Sequence, residues 1–454
     1  MSQIRNIELA RLGVRYALDH LKNQRKPVTL FSATLLVIAN MIGTGVFTTL
    51  GLQLATVHSS ASVMLLWILG GISAFCGALA YGELAAIMPR SGGEYHYLSY
   101  IYHPAAGFLA GCASIVAGFG APVALAAIAL GHYVQAAFPA VNKTTAGVLA
   151  IVLVTLVHLW DVRFGCRFQN ILTASKILLI IIFVAAGFCF PHTQKFVLPK
   201  ATEMKTVFSP AFAVALVYVS YAYSGWNASA YVAGEVRDPS RNLPVSRFLG
   251  SLAVSICYIL LNFIFLFTVP VEQLTGRIDV AYLSAGVIFG MKGARIVTLM
   301  ICLALVSTLS SMIMAGPRVL QVMGEDYGAL RFFATKNRRG SPLYAIIFQS
   351  SVAVILAMTA TFNAILTYVG FTLTLFTFLT VLGVFVLRVK NPRAERPFKM
   401  WGYPVTALVY LALNGWMLCY LLLERPFPSA VGLLTVGSSL IFYRLLRKSA
   451  NNAF

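Results

Sequence analysis

Two short stretches of this 454-residue sequence hold the residue types best placed to do chemistry. The first reads Ala39-Asn40-Met41-Ile42-Gly43-Thr44-Gly45-Val46-Phe47 and sets two glycines and a hydroxyl inside an apolar run. The second reads Tyr221-Ala222-Tyr223-Ser224-Gly225-Trp226-Asn227 and also lies inside one. A helix in lipid must satisfy its own backbone, so it unwinds only where protein or a polar cavity supplies other partners. A half-helix beginning after Gly43 would offer free N–H groups and the positive end of its dipole to a carboxylate. The half ending before Gly43 would offer carbonyls to an ammonium. One zwitterion could be held at both ends by backbone alone, and an α-amino acid has that form. Taken alone, Gly43 and Gly45 read first as residues for close packing of membrane helices.

Other chemistry is sparse. Lys176 lies about eight residues, or roughly 12 Å at helical rise, into another apolar run, where it must either snorkel to the surface or serve a purpose in the interior. Glu83, before Pro89 and near Arg90, reads as an ion-pair or helix-end residue, with proton carriage as the alternative. Glu235, Arg237, Asp238 and Arg241 read either as contacts that stabilise one conformation or as a solvated loop. No nucleophile with an adjacent base stands in the apolar runs, so catalytic residues are not expected. The seven cysteines, Cys76, Cys112, Cys166, Cys189, Cys257, Cys302 and Cys419, have no paired spacing and read as small buried hydrophobes. The seven histidines are scattered, so neither a metal site nor a cofactor is expected.

The elements that must position these residues are membrane helices. Of the chain, 59% is hydrophobic and 11% charged, and the mean hydropathy is +0.81. A soluble domain carries about a quarter charged residues. Apolar runs fall near 30–54, 63–88, 105–133, 145–159, 171–190 and 211–232, then near 248–269, 296–315, 343–361, 365–387, 405–423 and 431–445. The expected fold is therefore an all-α membrane protein with twelve transmembrane helices. The two glycine-containing stretches fall in spans one and six, the equivalent first helices of two five-helix halves, which is where an inverted repeat places paired broken helices. This divides the chain into a cytoplasmic segment 1–27, a first repeat 28–190, a second repeat 208–389, helices eleven and twelve over 403–446, and a cytoplasmic tail 447–454.

The net charge of +20 reflects topology, with no nucleic-acid partner implied. With the N-terminus inside, all of the 34 Lys and Arg fall on the cytoplasmic side except Lys143, Lys195, Lys200, Lys205, Arg277, Lys292, Arg295 and Arg425. That is the positive-inside pattern, with both termini cytoplasmic. The basic start lacks a prompt cleavage site and so is not read as a removed signal. Residues Ile4 to Leu21 read either as a helix lying on the inner lipid surface or as a solvated one.

Several motifs together resemble the amino acid/polyamine/organocation transporter family, and within it the L-type amino acid transporter branch. They are Ile42-Gly43-Thr44-Gly45-Val46-Phe47, Tyr81-Gly82-Glu83-Leu84, and Pro89-Arg90-Ser91-Gly92-Gly93-Glu94-Tyr95. Gln169 with Thr173-Ala174-Ser175-Lys176, Tyr221 to Asn227, and Gly234 through Pro244 follow. Gly316-Pro317-Arg318 and Arg396-Pro397-Phe398 complete the set. The resemblance implies a five-plus-five inverted repeat with two additional C-terminal helices, and a substrate site between broken helices one and six. It implies that Ile42, Gly43, Thr44 and Gly45 bind the α-carboxylate and α-amino groups, with Tyr221, Ala222, Ser224 and Asn227 opposite. Tyr221 stands where relatives carry an aromatic gate, commonly phenylalanine; its other reading is a core aromatic. The resemblance also implies that the Lys176 ammonium replaces a sodium ion between helices one and eight. Its partners would come from Ser307, Thr308, Ser310 and Ser311, Thr308 first, or Lys176 would couple transport to protons.

The expected activity is sodium-independent secondary transport by alternating access, as an exchanger or a proton symporter. Expected spans three, eight and ten contain no Asp or Glu to face a cationic side chain, which favours a neutral L-amino acid. The alternatives are a cationic amino acid or polyamine transporter, or a non-transporting amino acid sensor. Mammalian L-type relatives carry a cysteine between helices three and four for a heavy chain; 132–144 contains none, so no disulfide-linked heavy chain is implied. Asn142-Lys143-Thr144 is a glycosylation sequon that matters only in a secretory pathway. The expected partners are thus an amino acid and membrane lipid. The expected location is the cell membrane, the inner one in a Gram-negative cell, since a chain with short tails looks prokaryotic.

Overall fold

The structure, a computed structural model, describes residues 28–160, 162–190, 207, 209–338 and 340–451, with side chains placed for all of these except 162–168 and 447–451. The Ile4 to Leu21 stretch, the Cys166 side chain, and Lys195, Lys200 and Lys205 therefore lie outside the described residues. Among the described residues the chain is helical, with one isolated parallel bridge between Val28 and Val236 and no strand.

Among the described residues, ten helices are long and apolar enough to cross a membrane. Two shorter apolar helices, Pro210–Tyr223 and Leu343–Thr359, occupy the positions expected for the sixth and ninth spans. In chain order they are α1 (Leu30–Thr48), α2 (Ser60–Ile87), α3 (Pro104–Ala137), α4 (Lys143–Trp160), α5 (Val162–Cys189) and α6 (Pro210–Tyr223). Then come α7 (Pro239–Thr268), α8 (Val280–Ala315), α9 (Leu343–Thr359), α10 (Phe362–Lys390), α11 (Val405–Glu424) and α12 (Pro426–Asn451). The last runs beyond residue 446 into the segment expected as a tail.

Helix starts follow local chemistry. Thr29, Ser59, Ser209 and Thr361 each accept a hydrogen bond from a backbone N–H in the first turn that follows. Proline at the first helical position of α3 and α6 removes a donor that would have had no partner there. Several spans depart from regular helix. α1 breaks at Ile42 and Gly43. α8 is kinked at Gly290, whose φ of 69° is non-helical. In α3 a π-helical stretch, Ser114–Gly120, precedes Pro122. Such π turns mark functional sites more often than regular helix does. α8 begins ahead of its expected span, and its first part, before Gly290, is divided from the rest by that non-helical residue.

α1, α2, α3, α6, α7 and α8 pack on one another and form the buried core. Trp67, Tyr81, Tyr133, Tyr223, Tyr258 and Phe265 are fully buried among them. α4, α5, α9 and α12 instead present apolar residues outward, including Leu149, Leu153, Leu156, Leu178, Ile181, Ile355, Leu434 and Ile441. Exposed apolar surface on this scale suits lipid as solvent.

Candidate functional site

The two glycine-containing stretches meet. Gly45 lies so close to α6 that an added Cβ would stand 2.3 Å from the Ala222 Cα. Gly225 adopts a φ of 103°, and an added Cβ there would stand 2.7 Å from the Asn40 carbonyl. Only a residue without a side chain fits these two crossings of α1 and α6. After α6 ends at Tyr223, the chain passes through Ser224 to Asn227 before a short helix, Ala228–Tyr231. Both α1 and α6 are thus interrupted, and the interruptions lie against each other.

The carbonyls freed by the α1 break find side-chain donors. Lys176, 1% exposed, points into the break: its Nζ donates to Ala39 O at 3.2 Å, to Thr308 Oγ1 at 3.0 Å, and to Ile42 O. Thr308 also donates to Ile42 O at 3.0 Å. Tyr258 of α7 donates to Met41 O and is 3.1 Å from Ala222 O, so one hydroxyl holds the ends of both broken helices. The Lys176 ammonium therefore occupies carbonyls that the sequence assigned to a substrate's ammonium. Each carbonyl has a second lone pair.

A cavity lies on the α6 side of this crossing, lined by Asn40, Ser73, Phe119, Tyr221, Ser224, Asn227, Tyr231, Thr374, Thr377 and Asn414 among others. Among the described residues, no charged one lines it. Of the sequence-predicted residues, Tyr221, Ser224 and Asn227 reach the cavity, whereas Ile42, Gly43, Thr44, Gly45 and Ala222 lie behind it, all buried. Thr44 Oγ1 and Tyr221 Oη, 3.1 Å apart, close the wall between them. Thr308 joins Lys176, but Ser311 donates to Thr308 O on its own helix and makes no bond to Lys176. Asn227 is engaged by the Glu94 carboxylate at 2.6 Å.

Residues 28–445 match the family described as amino acid permease. The chain belongs to this family. Among curated relatives of this permease, the b(0,+)-type amino acid transporter 1 of Mus musculus is 29% identical, over 93% of this chain and 88% of the relative. The protein of that name from Homo sapiens is 28% identical over the same shares. The large neutral amino acids transporter small subunit 2 of Mus musculus is 27% identical, over 90% of this chain and 78% of the relative. These relatives are transporters and not enzymes, and the permease is a multi-pass membrane protein with many apolar helices.

Several of the permease's charged residues pair with one another away from the cavity lining. Glu83, 1% exposed, pairs with Arg388 at 2.6 Å and Arg396 at 3.4 Å, and it accepts from Met400 N at 2.8 Å. Its expected neighbour Arg90 instead pairs with Asp326 at 2.6 Å, because α2 ends at Ile87 and the chain turns away before Arg90. Glu235 pairs with Arg318 at 2.8 Å, and the Val28 N–H donates to Glu235 O while Val28 O accepts from the Arg237 N–H, which ties the entry to α1 to the segment beyond α6. Burial and the nearby Arg90 hold His96 below the usual histidine range. Tyr258 and Lys176 share the task of capping the α1 break, and only Lys176 is marked by its residue type in the sequence. A lone tyrosine in an apolar helix has no spacing signal to mark it.

Proposed function

We propose that this permease moves neutral L-amino acids across a cell membrane by alternating access, without sodium, as an exchanger or a proton symporter. The observation that carries the reading is the meeting of two broken helices at Gly45–Ala222 and Gly225–Asn40, beside a cavity lined by no charged residue among those described. The α-carboxylate is proposed to take the N–H groups that begin Thr44–Thr48, which helix geometry leaves without partners. The ammonium is proposed to sit between the α1 and α6 ends, near Ile42, Tyr221, Ala222 and Ser224, after Tyr221 swings away from Thr44 as a gate. Lys176 is proposed to stand in for a sodium ion, supported by its three oxygen partners and by Thr308 from α8. Ser311 supports Thr308 at one remove.

The proposal extends to twelve spans in a five-plus-five repeat with two further helices, both termini cytoplasmic, in the cell membrane or the inner membrane of a Gram-negative cell. No heavy chain is proposed to be disulfide-linked to it, since 132–144 lacks cysteine. The test uses purified protein in liposomes, loaded or empty, with a panel of labelled amino acids, with and without sodium and with and without a pH gradient. Stimulation by internal substrate identifies exchange, and gradient-driven accumulation identifies symport. A sodium requirement would overturn the role given to Lys176, and binding without flux would replace the transporter with a sensor.

A further inference from the structure

The cavity beside the broken helices is small, about 70 Å³, whereas about 150 Å³ holds a benzene ring. Several donors in its wall are already committed. Asn227 and Tyr231 donate to Glu94, a carboxylate 2% exposed that Tyr81 also holds. Thr377 donates to Leu373 O of its own helix at 2.8 Å.

On α2, α10 and α11 the hydrogen-bonding capacity is not used up. Asn414 of α11, 3% exposed, donates its Nδ2 to Ser73 Oγ of α2 at 3.0 Å and to Tyr410 O at 2.8 Å, while its Oδ1 accepts from no described residue. Ser73, 5% exposed, accepts from Asn414, and its own proton has no acceptor among the described residues. Thr374 of α10, 6% exposed, makes no side-chain hydrogen bond to a described residue. All three line the cavity. They present one amide acceptor and two hydroxyls, buried and neutral, and buried polar groups are rarely left without partners.

A side chain that enters this space must pair with these groups or leave them orphaned, and each orphaned group costs binding. A hydrocarbon chain orphans all three. A hydroxyl serves both needs, donating to Asn414 Oδ1 and accepting from Ser73 or Thr374. A carboxylate would set its charge against the Asn414 acceptor, with no cation among the described residues of the lining. An aromatic ring exceeds the space. We infer that the permease selects small hydroxylated amino acids, threonine and serine, through Ser73, Thr374 and Asn414. The inference rests on reading the chain as a transporter of neutral amino acids whose side chain enters this cavity. Asn414 decides the specificity, because it supplies the acceptor and orients Ser73 where α2 packs on α11. A site built to pair a hydroxyl rejects the analogue without one far more strongly than an apolar pocket rejects an added hydroxyl.

The test uses threonine and valine, which differ by a hydroxyl in place of a methyl, together with serine and alanine. Each competes unlabelled against labelled serine, in exchange by proteoliposomes and in binding to purified protein by scintillation proximity; labelled leucine uptake is run in parallel. Threonine should inhibit at a concentration at least about tenfold below valine, and serine likewise below alanine, the worth of one buried group left unpaired. Asn414→Leu removes the acceptor at similar volume and should bring threonine and valine within about threefold of each other. Ser73→Ala should narrow the ratio in the same direction. Because the readout is a ratio, it does not depend on how much of a variant folds. Equal inhibition by threonine and valine in the wild type, uptake of leucine with none of serine, or a ratio unchanged in both variants would each overturn the inference and leave transport standing. If Asn414→Leu does not fold at all, an unchanged ratio in Ser73→Ala overturns it alone. A tenfold threonine preference in binding with no flux of any amino acid would sink the transport reading and uphold the selectivity.

Discussion

Replacing Lys176 by methionine keeps most of the side chain's volume and removes its ammonium, so it isolates what the charge does at the α1 break. Ala39 O has no other side-chain donor, and its helical partner would be the N–H of Gly43, which lies past the end of the first half-helix. Ile42 O keeps Thr308 at 3.0 Å but loses its charge-assisted bond. One orphaned carbonyl costs about 1–3 kcal/mol and one lost bond to a charged group about 1.5–3 kcal/mol. Methionine gives some of this back, because lysine itself is costly to bury. A net loss of about 2–4 kcal/mol in holding the break corresponds to roughly 30- to 1000-fold in the population of the competent geometry. The assay is exchange of labelled amino acid in proteoliposomes, with thermal unfolding in detergent to confirm that the variant is folded. Exchange within about threefold of wild type would refute the reasoning, because the computed loss leaves no room for it. Smaller Lys176→Ala leaves space among the same oxygens, and we expect sodium to restore part of its activity. No sodium response in that variant would argue against ion replacement.

Gly45→Val should abolish substrate binding, read by scintillation proximity, because the new side chain would stand 2.3 Å from the Ala222 backbone; unchanged affinity would sink the backbone-grip model. Tyr258→Phe removes the shared donor of Met41 and Ala222, so a stability loss of about 1–3 kcal/mol is expected in thermal unfolding, together with slower exchange. Glu83→Gln breaks a buried ion cluster and should lower stability by about 2–4 kcal/mol, again as a fall in melting temperature. Asp326→Asn breaks the more exposed pair with Arg90 and should change stability by less than about 1 kcal/mol.

Much of the architecture was legible because lipid imposes it. Long uncharged runs gave the helices, and the glycines of α1 and α6 drew attention to the breaks. The details that escaped depend on long-range packing. Residue types alone did not reveal that the Gly43 to Gly45 segment lies behind the cavity, since that depends on the Thr44–Tyr221 contact across 177 positions. The partner of Glu83 is on α10, 305 positions away, while nearer Arg90 looked plausible in sequence. The π turn of α3 carries no composition signal, since Ser114-Ile115-Val116-Ala117-Gly118-Phe119-Gly120 would read as ordinary helix. Glu94 was visible in its glycine motif, but its burial among three donors was not.

The paired crossings of α1 and α6 also bear on how such a protein changes its diet. Where backbone lies on backbone, as at Gly45 on Ala222 and Gly225 on Asn40, no substitution can be tried without displacing both helices. Ser73, Thr374, Thr377 and Asn414 face the same cavity from α2, α10 and α11, away from those crossings. Variation that retunes which side chain is accepted is expected to collect on these walls. The grip common to every amino acid would be inherited unchanged, and new specificities would arise without rebuilding it.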